Sequence, residues 1–429
     1  MTEMWKKLNY ISWKNEAKRI LLNNDDMKAK LQEVMSSRQI AKTNTKVADF
    51  INEDTYKTEI YGDYVELYMR ENGQYVIYCN NLRDSTKNTL DKPNRADKIF
   101  QAKFKELNND VGLQAAFGYV DKSLKRCIPK QLDYINKKYC NKTLIMSSID
   151  ASSQYASGCL GLLPDAHTSV YVDKYAEPTK EYPFAFYASG HIAIYNELDT
   201  HKWVDNPLFP NLFRLKKKDD WPFRHLSRDQ EHTILMKASL YNINSVWRYF
   251  YDIKQSYPKD SKEYEDAKLV MNQVIGQWHR KDKDKKRAFT YDDNGSFKLA
   301  HIVAVAIARG NQKILNKVEE LDLSSVAHIC VDGIIYIGNK VFGQPGVDLG
   351  VFCQEFVGVP TVIRDINVYM AKDEHNYKFR HAGYDLVNNE DIDDDKKYDF
   401  TDLYNLSQKQ RIGDMIKQWE DQKAVKTKE

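Results

Sequence analysis

The run Ser148-Ile149-Asp150-Ala151-Ser152-Ser153-Gln154-Tyr155-Ala156-Ser157 decides how this chain is read. An apolar approach, Leu144-Ile145-Met146, ends in a carboxylate, and small polar residues follow. An aromatic stands five positions after the carboxylate, ahead of the apolar Cys159-Leu160-Gly161-Leu162-Leu163. Periodicity and punctuation predict a strand, a tight turn and a helix start. A carboxylate at the end of a buried strand suits Mg²⁺, and the offset sets Tyr155 beside the metal as the floor of a pocket. The same letters also suit an Asp N-cap followed by a Ser-rich turn.

Two later segments weigh on the choice. In Lys268-Leu269-Val270-Met271-Asn272-Gln273-Val274-Ile275-Gly276, residues Lys268, Asn272 and Ile275 are spaced i, i+4 and i+7. On a helix that spacing sets a cation and an amide on one face, toward one ligand. In His328-Ile329-Cys330-Val331-Asp332-Gly333-Ile334-Ile335-Tyr336-Ile337-Gly338, two apolar runs meet at Asp332-Gly333. This is a hairpin signal with a carboxylate at the tip. Alone, a helix lysine reads as a solvated face and Asp-Gly as a turn; the order of the three segments carries more.

That order resembles the family B DNA polymerases, in particular their protein-primed phage branch. Asp150 to Tyr155 is similar to the family's D-x-x-S-L-Y-P motif, Lys268 to Gly276 to K-L-x-x-N-S-x-Y-G, and Cys330 to Ile334 to D-T-D-S-I. The departures are Cys330 for the first Asp of D-T-D, Gly333 for its Ser, Ile275 for the motif Tyr, and Ala156 for Pro. The likeness spans roughly residues 140 to 390. Its implications are an α+β right-hand polymerase core, with an antiparallel palm sheet, helical fingers and a thumb, and a small N-terminal α+β domain. They extend to Mg²⁺ or Mn²⁺ on Asp150, the Ala151 carbonyl and Asp332, with the two aspartates catalytic. Tyr155, Lys254, Lys268 and Asn272 are implied to bind the nucleotide and Arg380 the primer end. DNA primer-template and deoxynucleotides are the implied partners, with a terminal protein as primer by resemblance alone. The rival reading is a polymerase-fold nucleic-acid-binding protein without catalysis, acting in replication initiation or phage defence.

Bulk properties bound these readings. A chain of 429 residues has length for two or three domains. A net charge of +3 leaves nucleic-acid contact to local patches rather than a global field. Six cysteines without a C-x-x-C pair argue against zinc and against a secreted disulfide framework. No apolar run approaches ~18 residues and the start is no signal peptide, so a cytoplasmic, membrane-free protein is expected.

The apportionment follows the patterning. Residues 1–45 are read as a helical segment, with Ile20-Leu21-Leu22, Met27, Leu31 and Val34 at helical spacing. Residues 46–140 are read as a small α+β domain opening on a hairpin through Glu71-Asn72-Gly73. The resembled family carries an exonuclease domain in this region, whose chemistry needs several carboxylates on two metals, yet Asp49-Phe50-Ile51 lacks the Glu of D-x-E and Asn80-Asn81-Leu82-Arg83-Asp84 is only faintly similar to the family's second exonuclease motif. That activity is expected to be reduced or lost. The resemblance implies palm over 141–200, fingers and an insertion over 201–290, palm and the start of the thumb over 291–387, and thumb or a C-terminal helix and tail over 388–429. Between Trp278 and Arg287 six of ten residues are basic. Arg280, Lys283, Lys285 and Lys286 are therefore candidates for gripping phosphates, the alternative being a solvated loop. The acidic run 388–397 is read as a linker and Leu299 to Val318 as a buried helix beneath the motif hairpin.

Overall fold

The structure, a computed structural model, describes residues 16–37, 40, 56–61, 64–81, 87–120, 124, 127–129, 131–174, 176–189, 192–198, 231–278, 299–343, 348–372, 377–381, 384–385, 398 and 400–426. Asp49 to Ile51, Leu82 to Asp84, the basic Arg280, Lys283, Lys285 and Lys286, and the acidic run 388–397 lie outside the described residues.

In chain order the strands are β1 (Lys18–Leu21), β2 (Lys57–Tyr61), β3 (Tyr64–Glu71), β4 (Gln74–Asn81), β5 (Asp133–Ile135), β6 (Thr143–Ala151), β7 (Val170–Val172) and β8 (Phe184–Ser189). They continue as β9 (Ile192–Glu197), β10 (Glu231–Met236), β11 (Val326–Cys330), β12 (Gly333–Ile337), β13 (Phe352–Asp365), β14 (Val368–Lys372), β15 (Tyr377–His381) and β16 (Tyr384–Asp385). The helices are α1 (Asn24–Ser36), α2 (Lys87–Leu107), α3 (Leu113–Phe117), α4 (Gln154–Gly158), α5 (Asn244–Ser256), α6 (Lys262–Trp278), α7 (Ala300–Leu321) and α8 (Phe400–Lys426). Among the described residues three sheets form, ordered β1-β4-β3-β2, β7-β10-β8-β9 and β16-β15-β14-β13-β6-β12-β11-β5. The chain divides into two compact units. One holds the described residues of 1–90, 135–146 and 358–429, the other those of 91–134 and 147–357.

In the first unit, β3 and β4 form the expected hairpin. Asn72 and Gly73, at φ 50° and 79°, supply the two left-handed residues of a tight turn whose twist matches the strands. Alternation along β3 then sorts side chains to two faces. Val65, Leu67 and Met69 pack with Met27, Leu31 and Val34 of α1 and Ile412, Met415, Ile416 and Trp419 of α8. Tyr68 packs oppositely with Ile77, Val368, Phe379, Leu403 and Tyr404. The exposed Lys28–Glu420 pair, 2.7 Å apart, adds at most about 1 kcal/mol. Burial at about 1.5–3 kcal/mol per large apolar side chain holds α1 to α8.

The helical reading of Ile20-Leu21-Leu22 is corrected here. Lys18 to Leu21 pair in parallel with Val76 to Cys79, and the helix begins only after Asn23, whose side-chain oxygen accepts from the Asp26 N–H at 2.8 Å. A free sheet edge outweighed a short helical pattern. The C-terminal helix expected in 388–429 runs from Phe400 to Lys426.

In the second unit the central element is α7, buried along Ala300 to Ala308. Its later residues Ile314, Leu315 and Val318 pack with Ile329 and Ile334 of the β11–β12 hairpin, as the sequence anticipates. α4 crosses α7 closely: a Cβ on Gly158 would meet the Ala306 carbonyl oxygen at 2.2 Å, so no side chain fits there. Arg309 secures the chain after α4. It reaches Glu197 from Nε at 3.0 Å and Nη2 at 2.5 Å, and donates to the carbonyls of Leu160 and Leu162 at 2.7 and 2.8 Å. Paired on both sides, its charge is tolerated in a mostly buried place. The helices α2, α5 and α6 meet at Phe100, Trp247 and Trp278, with centroids 4.6 Å apart for Phe100–Trp247 and 5.3 Å for Phe100–Trp278. Between Glu231 and Ser256 the chain forms β10 and then α5.

Candidate active site

Everything in this site comes from the second unit. β6 buries Ser148 and Ile149 and ends with Asp150 half-buried and Ala151 buried. The chain turns at Ser152-Ser153, where Ser153 takes a left-handed φ of 50°, and α4 begins at Gln154. The strand, turn and helix start of the sequence reading are therefore present. The turn is clamped: Ser152 N–H donates to Val351 O at 2.9 Å, Gly350 N–H to Ser152 O at 2.7 Å, and Ser152 Oγ to Tyr251 Oη at 3.2 Å. Lys313 of α7 donates to Ser157 Oγ at 2.9 Å, buttressing α4, and burial holds its ammonium below the usual lysine range against the charge of Asp348.

The second carboxylate arrives on the β11–β12 hairpin. Cys330 pairs with Gly333, so the two turn residues are Val331 and Asp332, one position earlier than the Asp-Gly signal implied. Gly333 instead opens β12. Val331, a β-branched residue, sits at φ 59°, a conformation costing about 1–3 kcal/mol. It is held there by its N–H donating to Leu132 O at 2.9 Å. The neighbouring Asp332 carbonyl accepts from Ala151 N–H at 2.9 Å, which ties the hairpin tip to the end of β6. A Cβ on Gly333 would lie 3.4 Å from Asp150 Oδ1. Asp150 and Asp332 thus stand on adjoining strand ends, with an open cradle at Gly333.

Around them the structure gathers an aromatic and two cations. Tyr155 is partly buried and its hydroxyl accepts from the Gln131 side-chain amide. Burial raises its phenol well above the ordinary range, and the charge of Asp332 adds to this, with Cys330 and Asp133 contributing further; the Gln131 contact opposes. Lys254, on α5, is held below the usual lysine range first by burial and then by Lys268, while Asp150 and Cys353 act in the opposite sense. Lys268 is exposed on α6, its Nζ 5.8 Å from the centroid of the Tyr264 ring, and Asn272 is exposed one turn further on. Ile275 does not continue their face to a ligand: it is 4 % exposed and belongs to the core, because α6 buries its C-terminal half against Trp247 and α7.

Arg380 lies in the first unit on β15, where its backbone pairs with Tyr369 and Asp385, and Arg280, Lys283, Lys285 and Lys286 lie outside the described residues. Sequence reading missed Gln131 and Asp133. Both flank Leu132, whose carbonyl meets the hairpin tip, and no local pattern signals a pairing across 199 residues (331 minus 132).

Among the described residues no three acidic, histidine or cysteine side chains form a metal cage. The donor set still fits Mg²⁺ or Mn²⁺. Two carboxylates and the Ala151 carbonyl are hard oxygen donors beside a cradle that a Cβ would fill, and Mg²⁺ commonly takes one or two carboxylates, leaving other positions to water and substrate phosphates.

No protein-family model and no curated protein matches the sequence. Among solved structures the chain is similar to Phi29 DNA polymerase complexed with primer-template DNA, at 10% identity, a TM-score of 0.49, and coverage of 86% of this chain and 80% of that one. It is likewise similar to Phi29 DNA polymerase complexed with single-stranded DNA, at 10% identity, a TM-score of 0.49, and coverage of 85% and 83%. At that level the likeness fixes no residue's role. Among the described residues no helix is long and apolar enough to cross a membrane.

Proposed function

We propose that this chain is a template-directed DNA polymerase, transferring deoxynucleotidyl groups to a primer hydroxyl. The observation that carries the reading is the joining of the Asp150 and Asp332 strand ends through the Ala151–Asp332 hydrogen bond, with α5, which bears Lys254, meeting the turn after Asp150 through the Ser152–Tyr251 contact. In the reaction the primer hydroxyl gives up its proton to solvent, its oxygen bonds to the α-phosphorus, the bond to the bridging oxygen breaks, and pyrophosphate leaves. Asp150, Asp332 and the Ala151 carbonyl would hold a divalent cation, which would supply charge neutralisation for the phosphoryl transfer. Lys254 and Lys268 offset triphosphate charge, Asn272 supports the incoming nucleotide, and the Tyr155 ring excludes a ribose 2′-hydroxyl. In this reading Arg280, Lys283, Lys285 and Lys286 grip backbone phosphates, Arg380 steadies the primer end, and a terminal protein is a candidate primer. The two carboxylates, otherwise mutually repulsive, favour a bound cation.

One observation favours a second reading, a nucleic-acid-binding protein without catalysis: Cys330 stands where the resembled motif carries an acid. Primer extension with Mg²⁺ or Mn²⁺ separates the two. Template-dependent addition of deoxynucleotides by the purified chain, lost in Asp150→Asn, supports the polymerase. DNA binding with no addition under either metal overturns it in favour of the second reading.

A further inference from the structure

The contact between Gln131 and Tyr155 has no part in the chemistry so far described. Gln131 reaches the phenol from the segment ahead of β5, 24 residues before Tyr155 in sequence, and donates its side-chain amide N–H to the hydroxyl. The segment is not a loose loop at that point. Leu132, the next residue, is 1 % exposed and packs with Ile149 of β6 and Ile329 and Ile334 of the hairpin. Its carbonyl accepts from Val331 at 2.9 Å, beside Asp332.

A tyrosine ring swings on two side-chain torsions. With only its base packed, the far edge of the ring is free to move between wells, and a tie at the hydroxyl removes that freedom at the atom farthest from the backbone. Here the tie runs through Gln131 and Leu132 to the same hairpin tip that presents Asp332. The ring edge and the second carboxylate are therefore referenced to one anchor, and a sugar lying between them meets a wall of fixed position. A polar end on an exposed residue costs little to keep, whereas a pivoting ring loses its ability to reject one extra hydroxyl.

We propose that Gln131 is a positioning residue that sets sugar selectivity by holding the Tyr155 ring, an inference that rests on the polymerase reading above. It acts through the phenol hydroxyl, so its effect vanishes when that hydroxyl is absent. Gln131→Leu keeps bulk and removes the donor; Tyr155→Phe keeps the ring and removes the hydroxyl. Each single change lowers discrimination against ribonucleotides by about fivefold to tenfold, the worth of roughly one net hydrogen bond. The double variant is no worse than either single one.

The test has two readouts. Without metal or nucleotide, the protein labelled with 3-fluorotyrosine gives a fluorine resonance for Tyr155, identified as the one missing from Tyr155→Phe. In Gln131→Leu, with an unchanged thermal melt, this resonance shifts or broadens. Competition of ribo- against deoxynucleotides on one primed template then gives the selectivity of all four proteins. A moved resonance together with non-additive loss of discrimination supports the proposal. It is overturned by an unmoved resonance, by a moved resonance with unchanged discrimination, or by additive effects in the double variant. If the wild-type chain extends no primer, the polymerase reading fails and the selectivity role fails with it, while the resonance still reports whether the contact holds.

Discussion

The main-chain N–H of Ala151 donates to the carbonyl of Asp332 at 2.9 Å, so the residue after one candidate metal ligand is bonded to the backbone of the other. The tie uses main chain alone and leaves both carboxylate side chains out of it. Asp150→Asn and Asp332→Asn should therefore each abolish primer extension while leaving the melting temperature and DNA affinity close to wild type or slightly improved. Extension at the normal rate by the Asp332 variant would sink the assignment; gel-shift titration and a thermal melt complete the measurement.

Gly333 offers a finer probe of the same place. Its missing Cβ would lie 3.4 Å from Asp150 Oδ1, so Ala fits the fold but crowds the cradle. Gly333→Ala should raise the Mg²⁺ concentration for half-maximal extension about tenfold, the low end for changes around a metal's ligands. Its melting temperature should hold or rise, since Gly is the weaker strand residue by roughly 0.5–1 kcal/mol. A metal titration that overlays the wild type would place the cation elsewhere.

Lys254 is depressed first by burial and then by Lys268. Its positive charge is consequently lost at a lower pH than an ordinary lysine's, and the nucleotide KM should climb on the alkaline side. Lys268→Gln removes the repelling neighbour, so this limb moves to higher pH. At neutral pH the variant's KM should still be worse by about tenfold or more, a charged hydrogen bond being worth about 1.5 kcal/mol. Steady-state KM across pH for both proteins checks the sign; a limb that stays in place excludes coupling between the two lysines.

Stability has its own titration. His301 is fully buried on α7; its Nε2 lies 2.9 Å from the Phe117 carbonyl, and its Nδ1 is buried without a hydrogen-bond partner. Burial pushes its pKa down to about 4, with the Phe117 carbonyl and Asp165 opposing and His167 reinforcing. Unfolded, the ring titrates near 6.5, so between these values the unfolded chain binds more protons and stability falls as pH falls. The loss across that window is on the order of 3 kcal/mol. Denaturant melts from pH 7 to 4 should show it, and His301→Gln should flatten the slope over the same range. An equal slope in the variant would assign the acid sensitivity to other groups.

What the sequence made legible is what neighbours in sequence determine. The passage from Thr143 to Gly158 and the hairpin from Val326 to Ile337 declare themselves by alternation, small polar turn residues and an Asp at each strand end. The buried α7 declares itself by an apolar face on nearly every side. The site's remaining parts depend on strands that meet far apart in the chain. Gln131 and Asp133 join it only because β5 lies next to β11, and Ile20-Leu21 became a strand only because β4 had a free edge. The face shared by Lys268, Asn272 and Ile275 was correctly helical but incorrectly uniform. Helix spacing says which residues align and not where along the axis the core begins.

The joining of α1 to α8 has a consequence for synthesis. Met27, Leu31 and Val34 meet Val65, Leu67 and Met69 of β3 early, but the rest of their apolar cover comes from Ile412, Met415, Ile416 and Trp419, far later in the sequence. At about 5–20 residues per second on the ribosome, that face waits roughly 20 to 80 s for the second part of its cover. Throughout that interval it is a sticky surface on an incomplete polypeptide, and a chaperone that shields early apolar helices should raise the yield of this protein more than one acting after release.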